Sequence, residues 1–89
     1  MDEKSLKEVL TLTIRDPERF IFKGIVNTVT TYNDRGLFDV LPYHENLITV
    51  VKKKLVVKIK DGKKEFAIDK AIMKVESNVV SVFLLSEGI

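Results

Sequence analysis

The stretch "LVVKIKDGKKEFAI", Leu55 to Ile68, decides how this chain is to be read. Leu55, Val57 and Ile59 alternate with Val56, Lys58 and Lys60, so an extended chain here has one apolar side and one mixed, charged side. A period of two marks a strand with one face against a core, whereas a helix would repeat near 3.6. Asp61-Gly62 falls where the alternation pauses, and that dipeptide suits a two-residue hairpin turn, whose central positions need positive φ. The alternation resumes through Phe66 and Ile68, so the stretch reads as two strands and the turn that joins them.

The same period extends in both directions. Leu10, Leu12 and Ile14 alternate with Thr11, Thr13 and Arg15 until Pro17, in "RDPERF", stops the strand. "RFIFKG" reads as a short strand with Phe20 and Phe22 on one side, and Ile25 to Tyr32 is almost wholly β-branched. "NDRG", Asn33 to Gly36, has the residues that tolerate left-handed backbone angles and reads as a reversal. Ile72 to Glu76 and Val79 to Leu85 form two further strands around the tight turn Ser77-Asn78. Residues 1 to 9 leave room for one helical turn at most, and no stretch reads convincingly as a helix. These signals predict an all-β fold, an antiparallel β-sandwich of two sheets built from about ten short strands, with residues 1–89 as one domain. The expected core includes Leu12, Ile14, Phe20, Ile25, Val29, Val57, Phe66, Ile68 and Phe83.

Composition narrows the chemistry. With 89 residues the chain supports one core, since folding at this size buries only about 60 to 65 % of the unfolded surface. It has no cysteine, which removes disulfides, thiolate metal sites and a thiol nucleophile. The opening "MDEKSLKEVL" lacks the pattern of a secretory signal, and no apolar run approaches the roughly 18 residues of a membrane span. His44 is the lone histidine, and Ser5, Ser77, Ser81 and Ser86 lie outside any nucleophile-elbow pattern, so a hydrolytic triad has little to build on. Glu45 and Asp39 are the nearest acidic neighbours of His44, without zinc-ligand spacing. The four glycines are isolated, which leaves no phosphate-cradling loop. His44 is therefore read as a turn residue whose ring donates to a backbone carbonyl, and no cofactor or metal is expected.

A net charge of +2 does not by itself argue for nucleic acid, but its distribution is uneven. Lys52, Lys53, Lys54, Lys58, Lys60, Lys63 and Lys64 cluster around Asp61 alone. Lysines on an edge strand protect it from pairing with other chains, which is the favoured reading. The competing reading is a contact, through Lys52, Lys53, Lys54, Lys63 and Lys64, with an acidic protein or an anionic lipid headgroup. Without aromatic residues among those lysines, base stacking and nucleic-acid binding are not expected.

With the strands placed, "LTLTIRDPERFIFKGIVNTVTTYNDRGLFDVLPYHENLITVV" resembles the N-terminal domain of the epsilon chain of F-type ATP synthase. Pro17, Glu18 and Arg19 match its "TPER"-like turn, and Gly24, Val26 and Val29 lie in the strand segment that follows. Gly36, Val40, Leu41, Pro42, His44, Leu47, Ile48 and Thr49 match its "G-x-x-G-I-L-P-G-H-A-P-L-I-T" motif. The resemblance runs on through "KDGKKEFAI" and covers about residues 8 to 86. It implies two five-stranded sheets at the foot of a central stalk, bound to the gamma chain and to the polar loops of the membrane ion-translocating ring, and turning with both.

On that resemblance the chain would be a non-catalytic rotor subunit, peripheral on the cytoplasmic face of the plasma membrane. Its partner contacts would be Gly36, Leu41, Pro42, Tyr43, His44, Asn46 and Leu47, and an isolated chain could self-associate through its gamma-binding face. The alternative is a free-standing interaction module that binds an acidic partner through the Lys-rich hairpin. Asp39 and Tyr43 replace two motif glycines, Asn46 replaces a proline, Lys70-Ala71 replaces a Gly-Gly pair, and a Pro-Gly is missing near Lys53 and Lys54. Family members usually continue into two helices that restrain hydrolysis. A chain ending at Ile89 resembles the short members without them, and a piece of a longer protein would look the same.

Overall fold

Seven strands carry the alternation: β1 (Leu10–Arg15), β2 (Phe20–Val26), β3 (Thr28–Asn33), β4 (Gly36–Val40), β5 (Leu47–Ile59), β6 (Gly62–Glu76) and β7 (Val79–Leu84). They belong to a computed structural model that describes residues 9–85, so residues 1 to 9, which leave room for one helical turn at most, lie almost wholly outside the described residues. The all-β class holds, and there is no helix among the described residues.

All seven strands join in one hydrogen-bonded order, β2-β1-β7-β6-β5-β3-β4. The residues buried along each strand share one face, and that face can be dry only if the two halves of the sheet cover each other. β5 and β6 belong to both halves. Residues 71–76 of β6 pair with β7, and residues 52–58 of β5 pair with β3. The first layer is thus β2, β1, β7 and the later half of β6 with the start of β5. The second is the start of β6, the later half of β5, β3 and β4. The about ten short strands expected are fewer because four of them are fused end to end in β5 and β6.

Irregularities mark the fusion. The β5–β6 register passes from Lys52↔Lys70 to Lys53↔Ile68, so Asp69 is an extra residue, a β-bulge. The bulge shifts the buried phase of β6 from Phe66 and Ile68 to Ala71, Met73 and Val75. On the other side of β5 the β3 ladder skips between Thr30↔Val56 and Tyr32↔Lys52. Buried Thr31 fills that gap, its hydroxyl donating to the Lys54 carbonyl at 2.8 Å. One ladder departs from the antiparallel expectation, since β1 and β7 run parallel. A tight turn forces antiparallel neighbours, but here nearly the whole chain is the connection.

Leu12, Ile14, Val29, Val57 and Ile68 are buried as expected, and Phe66 is partly buried. Phe22 meets Phe66 edge to face across the layers, with ring centroids 5.6 Å apart. Phe20, Ile25 and Phe83 are corrections: they are exposed. In β2 the inward phase is Phe22, Gly24 and Val26, and a bulge that skips Ile21 turns Phe20 away from it. In β7 the inward residues are Val80, Val82 and Leu84, which leaves Phe83 outside.

Candidate partner interface

The stretch from Gly36 to Leu47 is an edge strand followed by a turn. Gly36 opens β4 with φ +113, in open space, so what requires glycine there is backbone angle and not room. The length of β4 separates Gly36 from Leu41, so these two expected contact residues sit at opposite ends of one strand. Beyond β4 the amide of His44 donates to the Leu41 carbonyl at 3.1 Å and closes a four-residue turn. Pro42 at its second position and Tyr43 at its third, with φ +70, make it a type II turn. The motif's glycine would sit here, and Tyr43 adopts the left-handed backbone in its place.

The side chains of this turn are presented outward. Leu41 and Tyr43 are exposed, as is Asn46, while Pro42, His44 and Leu47 are half-buried. The Nδ1 of His44 lies 2.7 Å from the Glu45 carbonyl. A carbonyl only accepts, so this nitrogen carries the proton. The turn is tied to the rest of the fold by the amide of Tyr43, which donates to the Asn78 Oδ1 at 2.6 Å. The Asn78 carbonyl in turn accepts from the Thr11 amide at 2.9 Å, so one residue of the β6–β7 turn joins the Pro42 turn to the start of β1.

The lysines do not form one stripe. Lys52 pairs with Asp34 at 3.4 Å, Lys54 with Glu65 at 3.2 Å, and the Lys53 ammonium lies 4.9 Å from the centre of the Tyr32 ring. Lys53 is also left-handed, φ +74, at the fusion point of β5 where the family's Pro-Gly is missing. Lys63 and Lys64 lie on the part of β6 that pairs with β5 alone, which is an edge, but Lys52, Lys53, Lys54 and Lys58 lie on a strand bordered on both sides. The edge-protection reading therefore fits Lys63 and Lys64 and not the others. The hairpin tip and the Pro42 turn flank β5 at its two ends, and a strand of this length at about 3.3 Å per residue spans roughly 40 Å.

The sequence reading missed the outer face of the first layer. Cross-strand register sets Val50 beside Ile72, and Ile72 beside Phe83, all pointing away from the core and all exposed. Ile48, at 69 % exposure, extends the row along β5. Beyond Phe83 the row continues to Arg15, whose guanidinium lies 4.7 Å from the centre of the Phe20 ring. A signal for this face does exist in the sequence: "VV" at 50–51, "IM" at 72–73 and "VFLL" at 82–85 are apolar in both phases, as in strands covered on both sides.

At the β1–β2 reversal the Asp16 carboxylate accepts from the amides of Glu18 and Arg19 at 2.8 and 2.9 Å. Those bonds, the Glu18 amide first, hold its pKa below the ordinary 3.8.

Set against known proteins, residues 9–86 match the family described as ATP synthase, Delta/Epsilon chain, beta-sandwich domain. The ATP synthase epsilon chain of a Nitratiruptor species is 41 % identical over 59 residues, which cover 65 % of this chain and 46 % of that one. The ATP synthase epsilon chain of Endomicrobium trichonymphae is 31 % identical over 70 residues, covering 78 % and 51 %. This chain thus spans about half the length of these relatives. A chain in the Euglena gracilis mitochondrial ATP synthase OSCP/F1/c-ring assembly superposes with a TM-score of 0.81 at 24 % identity, over 89 % of this chain and 52 % of that chain. One in the Tetrahymena thermophila mitochondrial ATP synthase central stalk and c-ring superposes at 0.71 with 12 % identity, over 90 % and 66 %. At such identities the two superpositions speak for the fold.

Proposed function

The chain belongs to the ATP synthase delta/epsilon chain family, and from that premise we propose that it is a non-catalytic rotor subunit of an F-type ATP synthase central stalk, coupling the gamma chain to the membrane ion-translocating ring. The observation that carries the reading is the exposed apolar row Ile48, Val50, Ile72 and Phe83, on a face that a monomer in water gains nothing by displaying. We assign that face to the gamma chain. The end of the molecule bearing Leu41, Pro42, Tyr43, His44, Asn46 and Leu47 meets the polar loops of the ring, with Gly36 at the far end of β4 outside this contact.

Torque passes through such a subunit only if it is stiff. Backbone ladders join all seven strands, and the core between the layers is close-packed aliphatic side chains. The job needs no cofactor, and it places the chain peripherally on the cytoplasmic face of the plasma membrane. In isolation the same apolar face drives weak self-association. The module alternative has less support, because Lys52 and Lys54 already have acidic partners within the chain.

Titration against the cognate gamma chain tests the reading. Submicromolar one-to-one binding is expected, and no binding at micromolar concentrations would overturn it.

A further inference from the structure

Type I and type II turns share the same closing hydrogen bond and differ by a half-rotation of the central peptide, here the one linking Pro42 to Tyr43. Pro42 fits both forms, but type II demands positive φ at the third position, which a residue with a Cβ disfavours. By its own chain preferences this turn would be type I. It is type II, with Tyr43 at φ +70 and the His44 amide on the Leu41 carbonyl.

What tips the balance is visible. In the type II orientation the Tyr43 amide points at the Asn78 Oδ1, 2.6 Å away. A half-rotation would swing that amide away and turn the Pro42 carbonyl toward the acceptor. The acceptor is itself fixed, because the Asn78 carbonyl accepts from Thr11 and both Ser77 and Asn78 are left-handed, φ +51 and +64, as in a two-residue hairpin turn.

We infer that Asn78 is a positioning residue that holds the Pro42–Tyr43 peptide in its type II orientation against the preference of Tyr43, and so presents one form of the Leu41–His44 turn to its partner. The orientation of the peptide stands on geometry alone. Its consequence for docking rests on the rotor reading above.

The test is a nuclear Overhauser measurement between the Pro42 Hα and the Tyr43 amide proton, which lie close together in type II and apart in type I. Asn78→Gly removes the acceptor yet keeps the backbone freedom the β6–β7 turn requires, and Asn78→Asp keeps an acceptor. A strong cross-peak is expected in the wild type and in Asn78→Asp. It weakens several-fold in Asn78→Gly and returns in Asn78→Gly/Tyr43→Gly, where glycine accepts positive φ freely. A weak wild-type peak, or a full-strength peak in Asn78→Gly, overturns the proposal. Affinity for the purified ring is expected to fall about tenfold in Asn78→Gly and to recover in Asn78→Asp. A wild-type chain that ignores the ring sinks the rotor reading and leaves the cross-peak comparison to decide the turn.

Discussion

The two layers bury their inner faces alike and differ in their outer faces, although Leu37 is exposed beside Tyr32 on the second and Lys74 pairs with Glu76 on the first. Outside the first layer, Ile48, Val50, Ile72 and Phe83 lie in neighbouring register positions. Outside the second, Lys54 pairs with Glu65, Lys58 faces Lys63 and Thr28 across the ladders, and the Thr30 hydroxyl donates to the Asp39 carboxylate at 2.6 Å. Strand alternation dictates which residues point inward in both layers but leaves the outward ones free. Where those outward residues are charged, water is the intended neighbour. On the rotor reading, the apolar row of the first layer is the surface a partner covers.

The largest expected effect strikes both layers at once. Leu12 in the first layer and Leu55 in the second are both fully buried. Leu12→Ala and Leu55→Ala should each cost about 2 to 5 kcal/mol in urea unfolding, within a single transition. If either variant loosened only its own layer, the two halves would not share a core. Next come Ile72→Asp and Phe83→Asp, each expected to weaken gamma binding tenfold or more, about 1.4 kcal/mol per decade. Both residues are more than half covered and lie on inner strands, where Asp is disfavoured, so each variant should also lose about 1 kcal/mol of stability while remaining folded.

The charged side should respond far less. Lys54→Gln removes an exposed ion pair worth about 0.5 kcal/mol or less, and the loss should fade in molar salt while gamma affinity holds. Replacing Lys58, Lys63 and Lys64 together by Gln should leave folding and ring assembly intact. Loss of ring binding would mean that the hairpin end, and not the Pro42 end, points to the membrane. The smallest effect is at Asp16. Its carboxyl pKa is lowered in the folded chain, so the stability it lends is present above the unfolded value and is lost as pH falls through the lower folded one. Acid titration should therefore show the gap in stability between the wild type and Asp16→Ala closing only at pH values below 3.8.

The sequence made β1, the presence of the β5–β6 hairpin and the Ser77-Asn78 turn legible, because alternation and turn chemistry are local properties. The hairpin's two loop residues are Lys60 and Asp61 and not the expected Asp61-Gly62, since Gly62, at φ +142, already pairs with Ile59. It hid the fusion of short strands into β5 and β6, since Lys52 to Lys54 interrupt the apolar pattern where β5 and β6 run on through a bulge. The three-residue step from Ile68 to Ala71 was a readable trace of the bulge at Asp69. Phe20, Ile25 and Phe83 were misplaced because a large apolar residue looks like core whichever way it points. For the same reason the apolar outer face was invisible to a reading that sought contacts in a turn. The left-handed backbones of Tyr43 and Lys53 were not legible from residue type, which argues against them, and only the resemblance pointed to glycine at position 43.

The most direct test of a covered face and a wet face is hydroxyl-radical footprinting of the chain with and without the gamma chain. Ile48, Ile72 and Phe83 should become protected on binding, while Lys58 and Lys63 react as before. Protection of the Lys58 and Lys63 side, with Phe83 unchanged, would contradict the account.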